Sequence, residues 1–416
     1  MKKVLVIALA VVMALPTMAQ KTKSTAKSDF KKAFTALNDA IKDPKAINYE
    51  KVDEAWTLIQ PCMTDPATAS DPEVWVTAGR CQVGYMQRML NERAANGGQF
   101  KDNIEFFDNQ EMLVQFFSKA DELFKAPDEK GKTRKPEEIA SQHTFCQQNA
   151  VNPRNNLLIA GNMLMESDPA KSRHYLDDYF ATFSDPLFAE MNYAETDSMQ
   201  YDAYLFYAAS LMNEKEHTAA DTLQMIKYFE KALDSRSNGK VACIQLMQIY
   251  HEQQNMDMWA KYCKLGVDKY PDEPAFLVNL LNHVMVEKDF TEASRLSDML
   301  IERFPEKDYG YYQKAAILYQ EKKLPEALTA FQKAAEVDPE SVDAQAGIGN
   351  TAWMLAQNNA ADKETAKKYY AQAIEAYEHA HEMAPDRDDI WGYPLYAIYN
   401  NSGNAKKAAE YKQYNK

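Results

Sequence analysis

Glycine is scarce in this chain, at 13 of 416 residues, and cysteine scarcer, at five. With Ala, Leu, Met, Gln, Lys and Glu abundant instead, the composition favours helix. Five cysteines, none in a C-x-x-C pair, exclude a disulfide scaffold at this length. Basic residues are outnumbered, 47 Lys and Arg against 61 Asp and Glu, for a formal charge of −14. That balance argues against a nucleic-acid backbone as partner, which requires clustered positive charge. Catalytic signatures are missing as well. There is no G-x-S-x-G and no Walker lysine motif. His251-Glu252 is followed by Asn255, where a zinc-protease helix needs a second His. Gly347-Ile348-Gly349 opens no strand-to-helix turn. The residues therefore assign no catalytic group, no metal ligand and no cofactor.

Long apolar runs are limited to one. Val4 to Leu15 follows Lys2-Lys3 and precedes Thr17-Met18-Ala19. The run is shorter than the ~20 residues a transmembrane helix needs. Its basic start and small-residue end have the form of a secretory signal, 1–19, cleaved near Ala19/Gln20. The expectation is a periplasmic or secreted protein with no membrane span. A polar lead, 20–28, is expected to be disordered.

What the chain does have is a repeated pattern. In the stretch from Asp308 to Pro339, Tyr311, Ala315 and Leu318 lie on one helical face, and Ala327, Phe331 and Ala334 on another. Glu321 to Pro325 separates them, with Pro325 where a second helix starts. Small Ala315 and Ala327 fall where two antiparallel helices approach closest. Neither helix can bury its apolar face alone. Prolines 271, 305 and 339 recur every 34 residues, each closing a similar unit. The unit ending at Pro305 carries Leu277, Leu280, Leu281, Val284, Ala293 and Leu300, and the one ending at Pro271 carries Cys243, Leu246, Met247, Tyr250, Ala260 and Gly266.

The order of large residue, small pair, Tyr, Ala, aromatic, Ala and Pro resembles the tetratricopeptide (TPR) family, in an exported, Bacteroidota-like form. The resemblance implies an all-α solenoid, antiparallel hairpins stacked into a right-handed superhelix. The array is regular over 201–416, where the last helix, from Ala405, forms a Lys-rich cap. It is degenerate over 29–190. There Trp75, Ala78 and Gly79 match the opening of a first helix, and Phe117 and Ala120 its partner. Asn91 to Asp108 reads as an insertion between these two helices. Leu157, Ala160, Gly161 and Leu164, with Tyr175 and Tyr179, form a further degenerate unit. Pro186 to Gln200 reads as a joint. About a dozen extra residues near Asn358 to Lys368 read as a loop insertion.

In the TPR family, particular first-helix positions line the concave surface. The resemblance places Tyr309, Tyr312, Ala316 and Tyr319 there, then Asp343, Ala346, Asn350 and Trp353. Earlier units contribute Val278, Asn282 and Met285, and Val241, Ile244, Gln248 and His251. Aromatics with amides suit a protein or peptide laid in the groove, or a glycan. The alternative is that the rings pack beneath neighbouring helices. A glycan would align the chain distantly with SusD-type capture proteins, whose lipidated Cys it lacks. Asp197-Ser198-Met199 and Asp221-Thr222-Leu223 resemble O-glycan acceptor sites of secreted Bacteroidota proteins. Cys243 and Cys263 lie on opposing helices of one hairpin, as a bridge or as two small buried hydrophobes.

Overall fold

The computed structural model describes residues 25–43, 46–128 and 131–415. The expected signal and residues 20–24 of the lead lie outside them. The described residues hold helices and turns and no strand. No helix among them is long and apolar enough to cross a membrane.

Contacts divide the chain after Arg236. The first unit holds α1 (Ala26–Ala40), α2 (Tyr49–Ile59), α3 (Pro72–Ala95), α4 (Asn103–Lys125), α5 (Pro136–Leu164), α6 (Pro169–Ala181), the short α7 (Tyr193–Thr196), α8 (Gln200–Met212) and α9 (Ala219–Ala232). The second holds α10 (Gly239–Glu252), α11 (Met256–Lys269), α12 (Pro274–Val286), α13 (Phe290–Arg303), α14 (Asp308–Gln320), α15 (Leu324–Val337), α16 (Val342–Asn358), α17 (Lys363–Met383), α18 (Asp388–Asn401) and α19 (Ala405–Glu410). Within each unit successive long helices pair along the chain, α1 with α2, α3 with α4, α5 with α6, α8 with α9, and so on to α18 with α19, while α6 meets α8 past the short α7. This is the all-α, TPR-type solenoid architecture.

Local chemistry explains where the helices begin and end. Asp71, Asp102, Asp289 and Asp362 each turn a side-chain oxygen onto a backbone N–H of the helix that follows. Such caps satisfy donors that have no partner inside the helix. Three hairpins of the second unit also share a stop. Gln254, Lys288 and Lys322 all have positive φ, at 57°, 61° and 63°. The next residue's N–H then reaches back five residues, from Asn255 to Tyr250, Asp289 to Val284 and Lys323 to Leu318. This is the Schellman closure. The three left-handed residues lie 34 apart, the same period as the prolines.

The core is built by matching small residues to rings. Ala315 and Ala327 are both fully buried, at the close approach of α14 and α15. A Cβ on Gly349 would sit 2.7 Å from the Tyr377 ring, and one on Gly79 would sit 2.8 Å from the Phe117 ring. Glycine is needed at both places because the helices come too close for a larger residue.

Four local expectations change. Ala26 to Ser28 are not a disordered lead; they form the first turn of α1, where Cys62 Sγ donates to the Ala26 carbonyl at 3.4 Å. The insertion expected at Asn91 to Asp108 is largely helical. Helix formers carry α3 to Ala95, and only 96–102 turn, around Gly97 and Gly98 with φ of 66° and 88°. The extra residues near Asn358 likewise lengthen helices, giving 17 residues in α16 and 21 in α17, with a turn over 359–362. Pro186 to Gln200 is a packed corner, with Leu187 and Phe188 buried. The Cys243 and Cys263 thiols are both free and buried, and the Cys243 thiol donates to the Tyr262 carbonyl at 3.3 Å.

Candidate binding surface

The first helix of the second unit, α10, buries part of its surface and leaves one stripe open. On α10 the division is sharp. Val241, Ile244, Gln248 and His251 are exposed, while Ala242, Cys243, Leu246, Met247, Ile249 and Tyr250 are buried. The open residues are spaced three, four and three apart, so they form one stripe. Val241 and Ile244 leave 41% and 43% of their surface in water, although both are branched apolar side chains.

Further along, the stripe becomes aromatic and more enclosed. Tyr309, Tyr312, Tyr319 and Trp353 are each half-buried, whereas Asn282 and Asn350 are exposed. The Tyr309 hydroxyl donates to Asn282 Oδ1 at 2.6 Å, so these two residues are brought together across α12 and α14. Asn350 is tied elsewhere: its Oδ1 accepts from the Tyr377 hydroxyl at 2.6 Å. Tyr312 sets its ring edge-on to Phe331 at 5.5 Å, and burial raises the phenol pKa values of Tyr309, Tyr312 and Tyr319. Trp353 lies 6.4 Å from Tyr393, but its Nε1 is sealed from solvent without a hydrogen-bond partner. His251 is 6.5 Å from Trp259, which in turn contacts His283 at 5.3 Å. A cleft of about 190 Å³ opens beside Val278 and Tyr309, walled by Pro274, Phe304 and Lys307. The surface thus offers exposed apolar and amide groups on α10 and α12, and rings partly committed to packing on α14 and α16.

Two features escape sequence reading. Tyr393 is 51% exposed on α18, between buried Trp391 and Leu395. Those neighbours read as core, and an exposed ring between them is the signal that points to a surface. The second lies in the first unit, where no metal-ligating set was expected. His174 is not isolated: it meets Glu111 and Asp178. The Glu111 hydrogen bond raises the His174 pKa to about 8 against the effect of burial. Burial, and then the charge of Glu111, push the Asp178 carboxyl well above the usual range.

No protein family matches this sequence, and no curated protein does. Solved structures share only part of the chain. A TPR protein, YrrB, described as having an unusual peptide-binding site, is 18% identical, with 48% of this chain and 93% of that one aligned at a TM-score of 0.33. PilW, a type IV pilus biogenesis factor, is 15% identical over 51% of this chain and 91% of its own, at 0.34. MamA of Desulfovibrio magneticus RS-1 is 14% identical over 45% and 97%, at 0.33.

Proposed function

We propose that this chain is an exported, non-catalytic repeat scaffold that holds a protein or peptide segment along the inner stripe of its second unit. Helical repeats serve many ends, so the reading rests on the surface and not on the fold. The observation that carries it is the α10 stripe. Two exposed branched apolar side chains, followed one and two turns on by Gln248 and His251, stand on a helix whose other faces are buried. Apolar contacts beside amide and imidazole groups suit an extended chain with its own backbone polar groups. The half-exposed tyrosines and Tyr393 continue that chemistry.

The test uses residues that carry little of the core. Val241→Asp with Ile244→Asp is made in the full chain, and partners are captured by crosslinking in the native envelope and identified by mass spectrometry. The expected result is loss of the captured protein with helicity unchanged. Equal capture by both forms would remove the surface from the reading. Specific hits on a glycan array, lost with Tyr393→Ala, would instead favour a glycan. Export is tested separately, by whether the mature N-terminus in the envelope fraction is Gln20.

A further inference from the structure

Away from the stripe, α4 and α6 of the first unit bring three metal-ligating side chains to one point. His174 and Asp178 are one turn apart on α6 and share a face. Glu111 faces them from α4, with Oε2 3.0 Å from His174 Nε2. One donor atom from each of the three lies within 4.8 Å of the other two. The arrangement is braced. Gln115, a turn along α4, donates Nε2 to Glu111 Oε1 at 2.8 Å, which leaves Oε2 directed at the imidazole. Asp108 is held apart from the cluster by the Tyr175 hydroxyl and Lys171.

His174 is the one group of the three that can carry positive charge, set against two carboxyl groups. No Lys or Arg side chain among the described residues forms an ion pair with Glu111 or Asp178. Asp178 Oδ2 is shut off from solvent and has no hydrogen-bond partner. A sealed oxygen without a partner is costly, and a bound ion would supply one.

We propose that Glu111, His174 and Asp178 bind one divalent transition-metal ion, with Zn2+ as the fitting case. One imidazole nitrogen and two carboxylate oxygens form a donor set that Zn2+ accepts, whereas Mg2+ and Ca2+ favour oxygen throughout. The ion takes the place of the hydrogen between His174 Nε2 and Glu111 Oε2 and gives Asp178 Oδ2 its missing partner. Three protein ligands leave a fourth position open at the exposed His174 edge, for water or for a side chain of another protein. Gln115 is a positioning residue that orients Glu111.

The experiment is calorimetric titration of ZnCl2 into the untagged full chain after chelator treatment. One ion per chain is expected, and His174→Gln and Glu111→Gln should each abolish it. Gln115→Ala should weaken binding about 10–100-fold, the usual effect of removing an outer hydrogen bond to a ligand. Circular dichroism of each metal-free variant shows whether it remains folded. Should a ligand variant unfold, the Co2+ absorption spectrum of the unaltered chain decides: a bound-ion spectrum displaced by Zn2+ upholds the site, and that of the aqueous ion overturns it. A chain that takes up no Zn2+, or a folded His174→Gln that takes up as much as the original, also overturns it.

Discussion

The two units bury different kinds of side chain. Among the described residues, the buried charges, Asp121 and Arg154, and the buried amides, Gln82, Asn109, Gln110 and Gln200, all belong to the first unit. The second unit's buried polar side chains are two hydroxyls, Ser297 and Thr351. Both bond to carbonyls of their own helix, Ser294 and Gly347. In the first unit Thr77 and Ser210 do the same, but other buried polar groups link elements that are far apart in sequence. Asn109 donates to Gln82, Gln110 to Asn109, and Asn156 to Gln110, a line of amides running from α3 through α4 to α5. The second unit holds its hairpins by repeating one small-against-large fit. The first relies on particular polar connections, which need no repetition and leave no period behind.

Arg154 is where this difference should be largest. The side chain is 1% exposed and spans three partners, with Nε to Thr182 Oγ1 at 2.8 Å, Nη1 to Asn155 and Nη2 to Asp197 Oδ2 at 2.7 Å. Its guanidinium also lies 3.7 Å from the Tyr193 ring centre and 4.3 Å from that of Tyr179. It fastens the corner between α6 and α8 onto α5. Arg154→Met keeps much of the volume but leaves Asp197 without its cation. The expected loss is about 3–5 kcal/mol, the usual cost of breaking a buried pair from one side. Hydrogen exchange over 136–200, with denaturant unfolding, measures it. A loss under about 1 kcal/mol, the scale of an exposed pair, would show that the corner is held by packing alone and erase the contrast.

The same contrast explains what could be read from the sequence. Repetition requires the same residue types at each step, so prolines 271, 305 and 339 and the small residues Ala315, Ala327 and Gly349 revealed the hairpins of the second unit. First-helix register also carried the α10 stripe, since exposure there follows helical spacing. The match of Gly79 to Phe117 was legible for the same reason. Polar segments misled. Asn91 to Ala95 and Lys363 to Lys368 resemble loops in composition, yet they contain helix formers and no breaker, and they extend α3 and α17. Glu111 and His174 are 63 residues apart and share no motif, so only the packing of α6 against α4 brings them together. The left-handed Gln254, Lys288 and Lys322 were hidden because glycine, the usual residue there, is absent.

A second substitution asks whether both units depend on close approach to a similar degree. Gly79→Ala and Gly349→Ala each place a methyl under 3.0 Å from a buried ring. Alanine gains about 1 kcal/mol of helix propensity over glycine. Overpacking costs typically 1–3 kcal/mol, so a net loss of up to about 2 kcal/mol is expected in both. Tyr377 cannot easily yield, because its hydroxyl is anchored on Asn350 Oδ1 at 2.6 Å. Phe117 has no such anchor, so Gly79→Ala should be the milder of the two by denaturant unfolding. A larger loss at Gly79 would mean that the first unit is the more tightly jammed.

The smallest effect belongs to a helix end. Thr218 closes a capping box on α9: its Oγ1 accepts from the Asp221 N–H at 3.2 Å, and Asp221 Oδ2 accepts from the Thr218 N–H at 2.7 Å. The backbone bond first, and then the Thr218 hydroxyl, which donates to Asp221 Oδ2 at 2.8 Å, hold the Asp221 carboxyl below its ordinary pKa. A carboxylate with a lowered folded-state pKa contributes stability above its unfolded pKa and loses it as pH falls through the folded value. Thr218→Ala removes the hydroxyl but leaves the backbone N–H in place, so half of the box survives. The expected loss is about 1 kcal/mol, read as faster amide exchange in the first turn of α9. Acidification should shrink the difference between Thr218→Ala and the original, because protonated Asp221 no longer attracts either donor strongly. A difference that stayed constant down to acid pH would show that the Thr218 hydroxyl acts through the Asp221 N–H and not through the carboxylate.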